Sequence, residues 1–207
     1  VMGELQVTFP PELVLCLQKH WGGALDDTEL KARMATLRRT DVSRPTIFVG
    51  AGTCGLAAGA GKTMQAIQEH LTANALEADV IEVGCIGLCS AEPLVDVQLP
   101  GKARVSFQEV TAAKVPALLD AVLSGSIPSD GVLGQMGGEC EAWADVPSLD
   151  EHPFFAPQMR LVLDGCGVAD PSSIDEYIAR GGYWAFAHVL RNLTRHELCA
   201  EVERSGL

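Results

Sequence analysis

The 207-residue chain has no long run of apolar residues. Its most apolar stretches, such as 115–123, are interrupted by proline, glycine or charge well before the roughly 20 residues that a membrane-spanning helix needs. Residues 1–18 also lack the basic region and the cleavage-type ending of a secretory leader. We therefore expect no direct membrane insertion.

Basic residues are scarce. The sequence has 15 Lys and Arg against 27 Asp and Glu, for a formal net charge of −12. Sequence-independent binding to nucleic acid requires clustered cations to neutralise phosphates. The nearest basic cluster, Arg38 with Arg39, lies at the end of a helical pattern, where cations favour the helix dipole. The charge therefore predicts no nucleic-acid partner.

The cysteine pattern does not fit a disulfide framework. The seven cysteines are odd in number and spread over the whole chain, unlike those of small secreted proteins. We therefore predict a cytoplasmic protein with reduced thiols. Cys16, Cys166 and Cys199 lie in apolar helical patterns and are predicted to be buried.

The chain divides into four predicted parts. They are a helical N-terminal extension (1–42), an α/β domain (43–126), a glycine-rich acidic linker (127–150) and a helical segment (151–207). In the last part, Asp170 followed by proline predicts a helix start, and Thr194 with Glu197 predicts a capping box.

The α/β domain shows a β-α-β-β-β-α pattern. Strands are predicted at 46–49 and 79–83 with a helix at 62–76 between them, followed by a hairpin (93–99 and 103–108) and a closing helix that ends before Gly125. This order suits a small sheet covered by helices.

Three cysteines follow the first two strands. Cys54 lies in the loop after the first strand, and Cys85 and Cys89 lie in the loop after the second. Loops at strand ends can bring thiolates to one metal centre, and a Cys-x3-Cys pair is short enough to chelate. We predict these three residues as metal ligands. A redox-active disulfide between Cys85 and Cys89 is the alternative reading of that pair.

A glycine motif offers a rival function. Gly50, Gly52 and Gly55 match G-x-G-x-x-G between a strand and a helix, as in dinucleotide-binding domains. The acidic residue of the next strand, Glu82, comes about 30 residues later instead of the expected ~20, and a hairpin replaces further βαβ units. A free-standing nucleotide-binding domain is therefore the alternative function. The glycines also fit a tight turn and close helix packing.

Two stretches show a family resemblance. Residues 47–60 (IFVGAGTCGLAAGA) and 84–94 (GCIGLCSAEPL) resemble the thioredoxin-like [2Fe–2S] ferredoxin domain of NADH dehydrogenase subunits. Residues 152–171 (HPFFAPQMRLVLDGCGVADP) and 173–183 (SIDEYIARGGY) are similar to the start of the NADH- and FMN-binding subunit of NADH dehydrogenases, NAD-linked hydrogenases and NAD-linked formate dehydrogenases.

The resemblance implies the amino-terminal part of an NADH-oxidising flavoprotein subunit. FMN and NADH would bind beyond residue 207, so this chain alone is not expected to be active. Its partners would be the other subunits of an NADH-linked oxidoreductase complex, and the parent would pass electrons from NADH through FMN to iron–sulfur centres.

The sequence departs from the family at the cluster ligands. The family has a Cys-x4-Cys pair at the first loop, and alignment through residues 57–60 places that pair on Gly50 and Gly55, with Cys54 one position before the second. Only three of four cysteine ligands are therefore visible for a [2Fe–2S] cluster. Either Cys54 serves with a different fourth ligand, or the domain has lost its cluster and is a docking remnant.

Overall fold

The computed structural model of the protein describes residues 34–206, within which five strands form one sheet. The strands are β1 (Thr46–Gly50), β2 (Asp79–Val83), β3 (Val95–Gln98), β4 (Val105–Phe107) and β5 (Val132–Gln135), in the order β2-β1-β3-β4-β5. β1 and β2 are parallel, and the other neighbouring pairs are antiparallel. The predicted α/β fold class is confirmed.

The chain divides into two compact units. One comprises residues 39–172, and the other comprises 34–38 and 173–206 of the described chain. The division at 172 differs from the predicted boundaries at 126 and 150. The predicted extension 1–42, with Cys16, lies mostly outside the described residues.

Three helices of the larger unit are α1 (Thr53–Ala58), α2 (Ala60–Ala73) and α3 (Val115–Leu123). α2 buries Ala60, Thr63, Ile67 and Leu71, whose spacing of three and four places them on one side of a helix. Ala60, Ile67 and Leu71 share a core cluster with the apolar side of α3 and with alternate residues of β1, β3 and β4. α2 and α3 therefore cover the same face of the sheet.

The opposite face of the sheet is partly polar and is covered by irregular chain. Arg104 donates from Nε to Asp96 Oδ2 at 2.8 Å, and its guanidinium lies 3.6 Å from the Phe48 ring centroid. The same side chain donates to the carbonyl oxygens of Gly167 at 2.7 Å and Val168 at 3.3 Å. Arg104 therefore joins segment 165–168 to the sheet.

β5 lies inside the segment for which the sequence predicts a linker. Its four residues include Gly134, and they are too few to show an alternating pattern. A Cβ at Gly134 would come within 3.1 Å of Leu149 backbone atoms and of the Pro147 carbonyl oxygen. The glycine that weakens the strand pattern is thus required by the close approach of the chain at 147–149.

The smaller unit contains three further helices: α4 (Ile174–Ala179), α5 (Trp184–Asn192) and α6 (Arg195–Ser205). The predicted capping box at Thr194 and Glu197 is confirmed. The helix start predicted at Asp170 is wrong: Asp170 Oδ1 accepts from the Ser172 N–H at 2.9 Å, which closes a turn, and Ser173 caps the helix. No helix within 34–206 is long and apolar enough to cross a membrane.

Candidate metal centre

The three predicted ligands come from the ends of two adjacent strands. β1 and β2 are parallel with Gly50 opposite Val83, so the loops that follow them leave from the same edge of the sheet. Cys54 lies in the first turn of α1, and Cys85 follows β2 by two residues. Cys89 begins a 3-10 turn, Cys89–Ala91, whose Ala91 is buried. The structure thus brings the two loops together as predicted.

The sulfur atoms of Cys85 and Cys89 are 3.8 Å apart. This is far longer than the roughly 2.0 Å of a disulfide. Thiolate sites of zinc and of iron–sulfur clusters are tetrahedral, and metal–sulfur bonds of about 2.3 Å then place two sulfurs on one metal about 3.8 Å apart. The pair therefore has the spacing of two ligands of one metal ion.

The surroundings of these thiols favour the protonated form. Burial raises the pKa of Cys85, although the Gly87 N–H, which donates to its sulfur at 3.2 Å, acts in the opposite direction. The Cys54 thiol raises the pKa of Cys89, so Cys54 lies close to that residue. A reactive catalytic cysteine normally has a lowered pKa. The thiols therefore do not resemble a redox-active pair, whereas a bound metal would deprotonate them.

The glycines of the G-x-G-x-x-G motif all face protein atoms. A Cβ at Gly52 would lie 3.1 Å from the Cβ of Cys85, and one at Gly55 would lie 2.0 Å from the Gly50 carbonyl oxygen. A Cβ at Gly50 would lie 3.1 Å from Glu92 Oε2. Close packing of the two loops accounts for all three glycines without a nucleotide.

Glu92 is a residue of this site that the sequence analysis missed. It follows the Cys89–Ala91 turn and is only 7% exposed. Its Oε2 accepts from the Leu94 N–H at 2.9 Å, whereas Oε1 is buried without a hydrogen-bond partner. Burial raises the pKa of this carboxyl, and the Leu94 N–H and the Cys85 thiol act in the opposite direction. In the sequence, the one indication of this role is that Glu92 stands three positions after the candidate ligand Cys89.

Thiol and carboxyl groups from two loops make up the donor set of this site. Within residues 34–206, no three His, Cys, Asp or Glu side chains are grouped so that they could hold one metal ion. A [2Fe–2S] cluster divides four protein ligands between two irons, and some proteins use non-thiolate donors on one of them. The sulfurs of Cys85 and Cys89 have the spacing of two ligands of one iron, and the Cys54 thiol lies close to Cys89.

The remaining described cysteines have other surroundings. Cys140 donates from its thiol to the Thr40 carbonyl oxygen at 3.1 Å. Cys166 is half-buried and Cys199 is exposed, so the predicted burial is wrong for Cys199 and too strong for Cys166. The reason for Cys199 is that α6 is rich in charge and buries none of its residues.

Two subunits of an NADP-reducing hydrogenase from Solidesulfovibrio fructosivorans are similar in sequence. The chain is 29% identical to subunit HndB over 112 residues, which cover 53% of this chain and 89% of HndB. It is 48% identical to subunit HndC over 50 residues, which cover 24% of this chain and 10% of HndC. The match to HndC thus spans only about a tenth of that relative. No protein-family model matches the chain.

Solved structures of a thioredoxin-like [2Fe–2S] ferredoxin from Aquifex aeolicus also align with the chain. One covers 46% of this chain and 96% of the ferredoxin at 18% identity, with a TM-score of 0.40. A wild-type structure at 1.5 Å resolution covers 45% and 99% at 20% identity, with a TM-score of 0.39.

Proposed function

We propose that the chain is an electron-transfer module of a multisubunit oxidoreductase and that it binds a [2Fe–2S] cluster through Cys54, Cys85 and Cys89. The observation that carries this proposal is the 3.8 Å separation of the Cys85 and Cys89 sulfurs, which matches two thiolates on one tetrahedral iron. When bound, the cluster would supply one-electron chemistry.

The protein's contribution is to position and tune the thiolates. The Gly87 N–H points at the Cys85 sulfur at 3.2 Å, and hydrogen bonds to cluster sulfurs are one means of setting the reduction potential. Gly87 has a φ of +96°, a left-handed conformation that glycine adopts without strain. The loop geometry that directs this N–H therefore depends on a glycine at position 87.

The membership in a larger complex is supported by the relatives and by the surface. Both similar proteins carry names of hydrogenase subunits. Met159, Leu161 and Val162 are 85%, 76% and 94% exposed, and contiguous exposed apolar residues are typical of surfaces that contact other protein. We further propose that the complex is NADH-linked, because residues 152–171 and 173–183 resemble the start of an NADH- and FMN-binding subunit.

Anaerobic reconstitution of the purified chain with iron and sulfide tests the cluster. We expect two irons and two sulfides per chain, and Cys85→Ser and Cys89→Ser should each lose most of the iron because they remove the chelating pair. Cys54→Ser should also lose iron. Cys140→Ser and Cys199→Ser are the matched controls and should retain it. Equal loss in all five variants would indicate unfolding and would contradict the assignment.

A cluster-free docking module is the second candidate function. It is favoured by one observation, the absence of cysteine at Gly50 and Gly55, where the resemblance places the first ligand pair. Such a module would remain folded and bind no iron under the same reconstitution. The nucleotide-binding alternative would require saturable binding of NADH to this chain, measured by calorimetry, although Gly50, Gly52 and Gly55 face protein atoms.

A further inference from the structure

The Glu92 carboxyl occupies the space in front of the two positions where cysteines are missing. A Cβ at Gly50 would lie 3.1 Å from Oε2 and 3.4 Å from Oε1 of Glu92, and a Cβ at Gly55 would lie 3.1 Å from Oε2. A side chain at position 50 would therefore extend into the place that the carboxyl now fills, and the same carboxyl borders position 55.

The carboxyl is unusually placed for a residue with only a structural role. Glu92 is more than nine-tenths buried, and Oε1 has no hydrogen-bond partner among the described residues. A buried carboxylate oxygen without a partner is destabilising, because its hydration is lost without replacement. A ligand that takes this oxygen as a donor would remove that cost.

The carboxyl also lies at the loop that packs against the thiol ligands. A Cβ at Gly50 would lie 3.1 Å from Oε2 of Glu92, and a Cβ at Gly52, two residues further on, would lie 3.1 Å from the Cβ of Cys85. The Leu94 N–H holds Oε2, so Oε1 is the oxygen left for a metal. Carboxylate oxygen is a competent ligand for iron, and non-thiolate donors on one iron of a [2Fe–2S] cluster have precedent.

We propose that Glu92 is the fourth protein ligand of the cluster site, with Cys85 and Cys89 on one iron and Cys54 and Glu92 on the other. The proposal rests on the electron-transfer function proposed above. It adds that the one thiolate still missing is replaced by an oxygen donor from the second loop and not by an external ligand. The two irons would then differ in their protein ligands.

The first test is the iron content of Glu92→Gln in the full chain after anaerobic reconstitution. Glutamine keeps the size of the side chain but removes its negative charge. We expect the wild-type chain to bind two irons and Glu92→Gln to lose at least half of them, while Glu82→Gln, a matched change of an exposed glutamate on β2, retains both. Far-ultraviolet circular dichroism of each apo variant checks the fold.

The outcomes separate this proposal from the one on which it rests. Equal iron content in the wild type and in Glu92→Gln would overturn the ligand role and leave the electron-transfer function intact. A wild-type chain that binds no iron would overturn both, and the carboxyl would then fill a cluster-free site. Two ⁵⁷Fe Mössbauer doublets of equal area in the oxidised wild type would support unlike ligands on the two irons, whereas a single doublet would overturn it.

Glu92→Cys keeps the test decisive if the glutamine variant does not fold. A thiolate at the same position should retain the iron and shift the visible absorption and the reduced-state electron paramagnetic resonance towards those of an all-cysteine cluster. Spectra identical to those of the wild type would show that position 92 does not touch the cluster. Loss of iron in Glu92→Cys but not in Glu82→Cys would confirm that position 92 lies at the site. It would overturn the proposal that a thiolate and a carboxylate can replace each other there as the fourth ligand.

Discussion

Gly55 shows how one residue fixes the geometry of the first loop. It is the one buried residue of α1, and the space where its Cβ would stand is filled by the Gly50 carbonyl oxygen. A cysteine at position 55, as the resemblance would place it, does not fit this backbone. The absence of cysteine at position 55 is therefore required by the conformation of the main chain in this loop.

Gly55→Ala should destabilise the protein even though alanine is the better helix former. The gain in helix propensity is about 1 kcal/mol. The added Cβ would lie 2.0 Å from a backbone oxygen, and overpacking of this kind costs about 1–3 kcal/mol or more. We expect a lower urea midpoint for Gly55→Ala.

Gly61→Ala is the matched control for this change. Gly61 lies in α2, and a Cβ there would meet nothing within 4 Å. Alanine should therefore stabilise the helix, by about 0.5–1 kcal/mol. If the two variants had the same urea midpoint, a Cβ at position 55 would not clash with the Gly50 carbonyl oxygen, and this account of the loop would be wrong.

At the scale of elements, the regular strands and helices were predictable and the covering segment was not. The spacing of Ile67 and Leu71 identified α2, and the alternation of Val95 and Val97 identified β3, because each element buries one periodic face. β5 was missed because its glycine serves a contact with residues 147–149, distant in the sequence. No local pattern records such a contact.

The candidate site shows the same limit. The positions of Cys54, Cys85 and Cys89 at adjacent strand ends followed from the strand order, although their role as ligands stays a prediction. Glu92 was not identified, because its relation to Gly50 and Gly55 depends on how the second loop folds back over the first. Spacing along the chain indicates how far a loop can extend, but it does not show which side chain occupies the space between two loops.

The ion pair of Asp96 with Arg104 should determine how firmly the irregular segment holds to the sheet. Both side chains are more than nine-tenths buried, and breaking a buried pair costs about 3–5 kcal/mol because it leaves a charge without its counter-ion. We expect Asp96→Asn to lower the free energy of unfolding by about 3 kcal/mol. This value is at the low end of that range because Arg104 keeps its hydrogen bonds to the carbonyl oxygens of Gly167 and Val168. Urea denaturation measures this loss.

The exposed pair of Arg44 with Asp79 is the control. Its side chains are 57% and 43% exposed, and pairs of this kind contribute little to stability because water and salt screen them. Asp79→Asn should therefore change stability little. If Asp79→Asn lowered the free energy of unfolding as much as Asp96→Asn, burial would not explain the contribution of the Asp96–Arg104 pair to stability.

At the scale of the whole molecule, the larger unit extends well past the predicted ferredoxin-type domain. Residues 39–172 form one compact unit, whereas the sequence pattern predicts an α/β domain that ends at 126. The difference has a physical origin: the sheet face that carries Asp96 and Arg104 is completed by chain from 165–168, and β4 pairs with β5. Without them a buried ion pair and a strand edge would be open to water.

Truncation decides between the two boundaries. We expect a fragment of residues 39–172 to unfold in one cooperative transition and to bind as much iron per chain as the full chain, because it keeps both faces of the sheet and all four proposed ligands. A fragment of residues 43–126 keeps the same ligands but lacks β5 and the segment that contacts Arg104. It should show a broad transition or aggregate, and should retain less iron.

Calorimetry and iron content of both fragments measure this. If 43–126 matched 39–172 in both, the predicted boundary would be the correct one, and chain 127–172 would be an appendage that the sheet does not need.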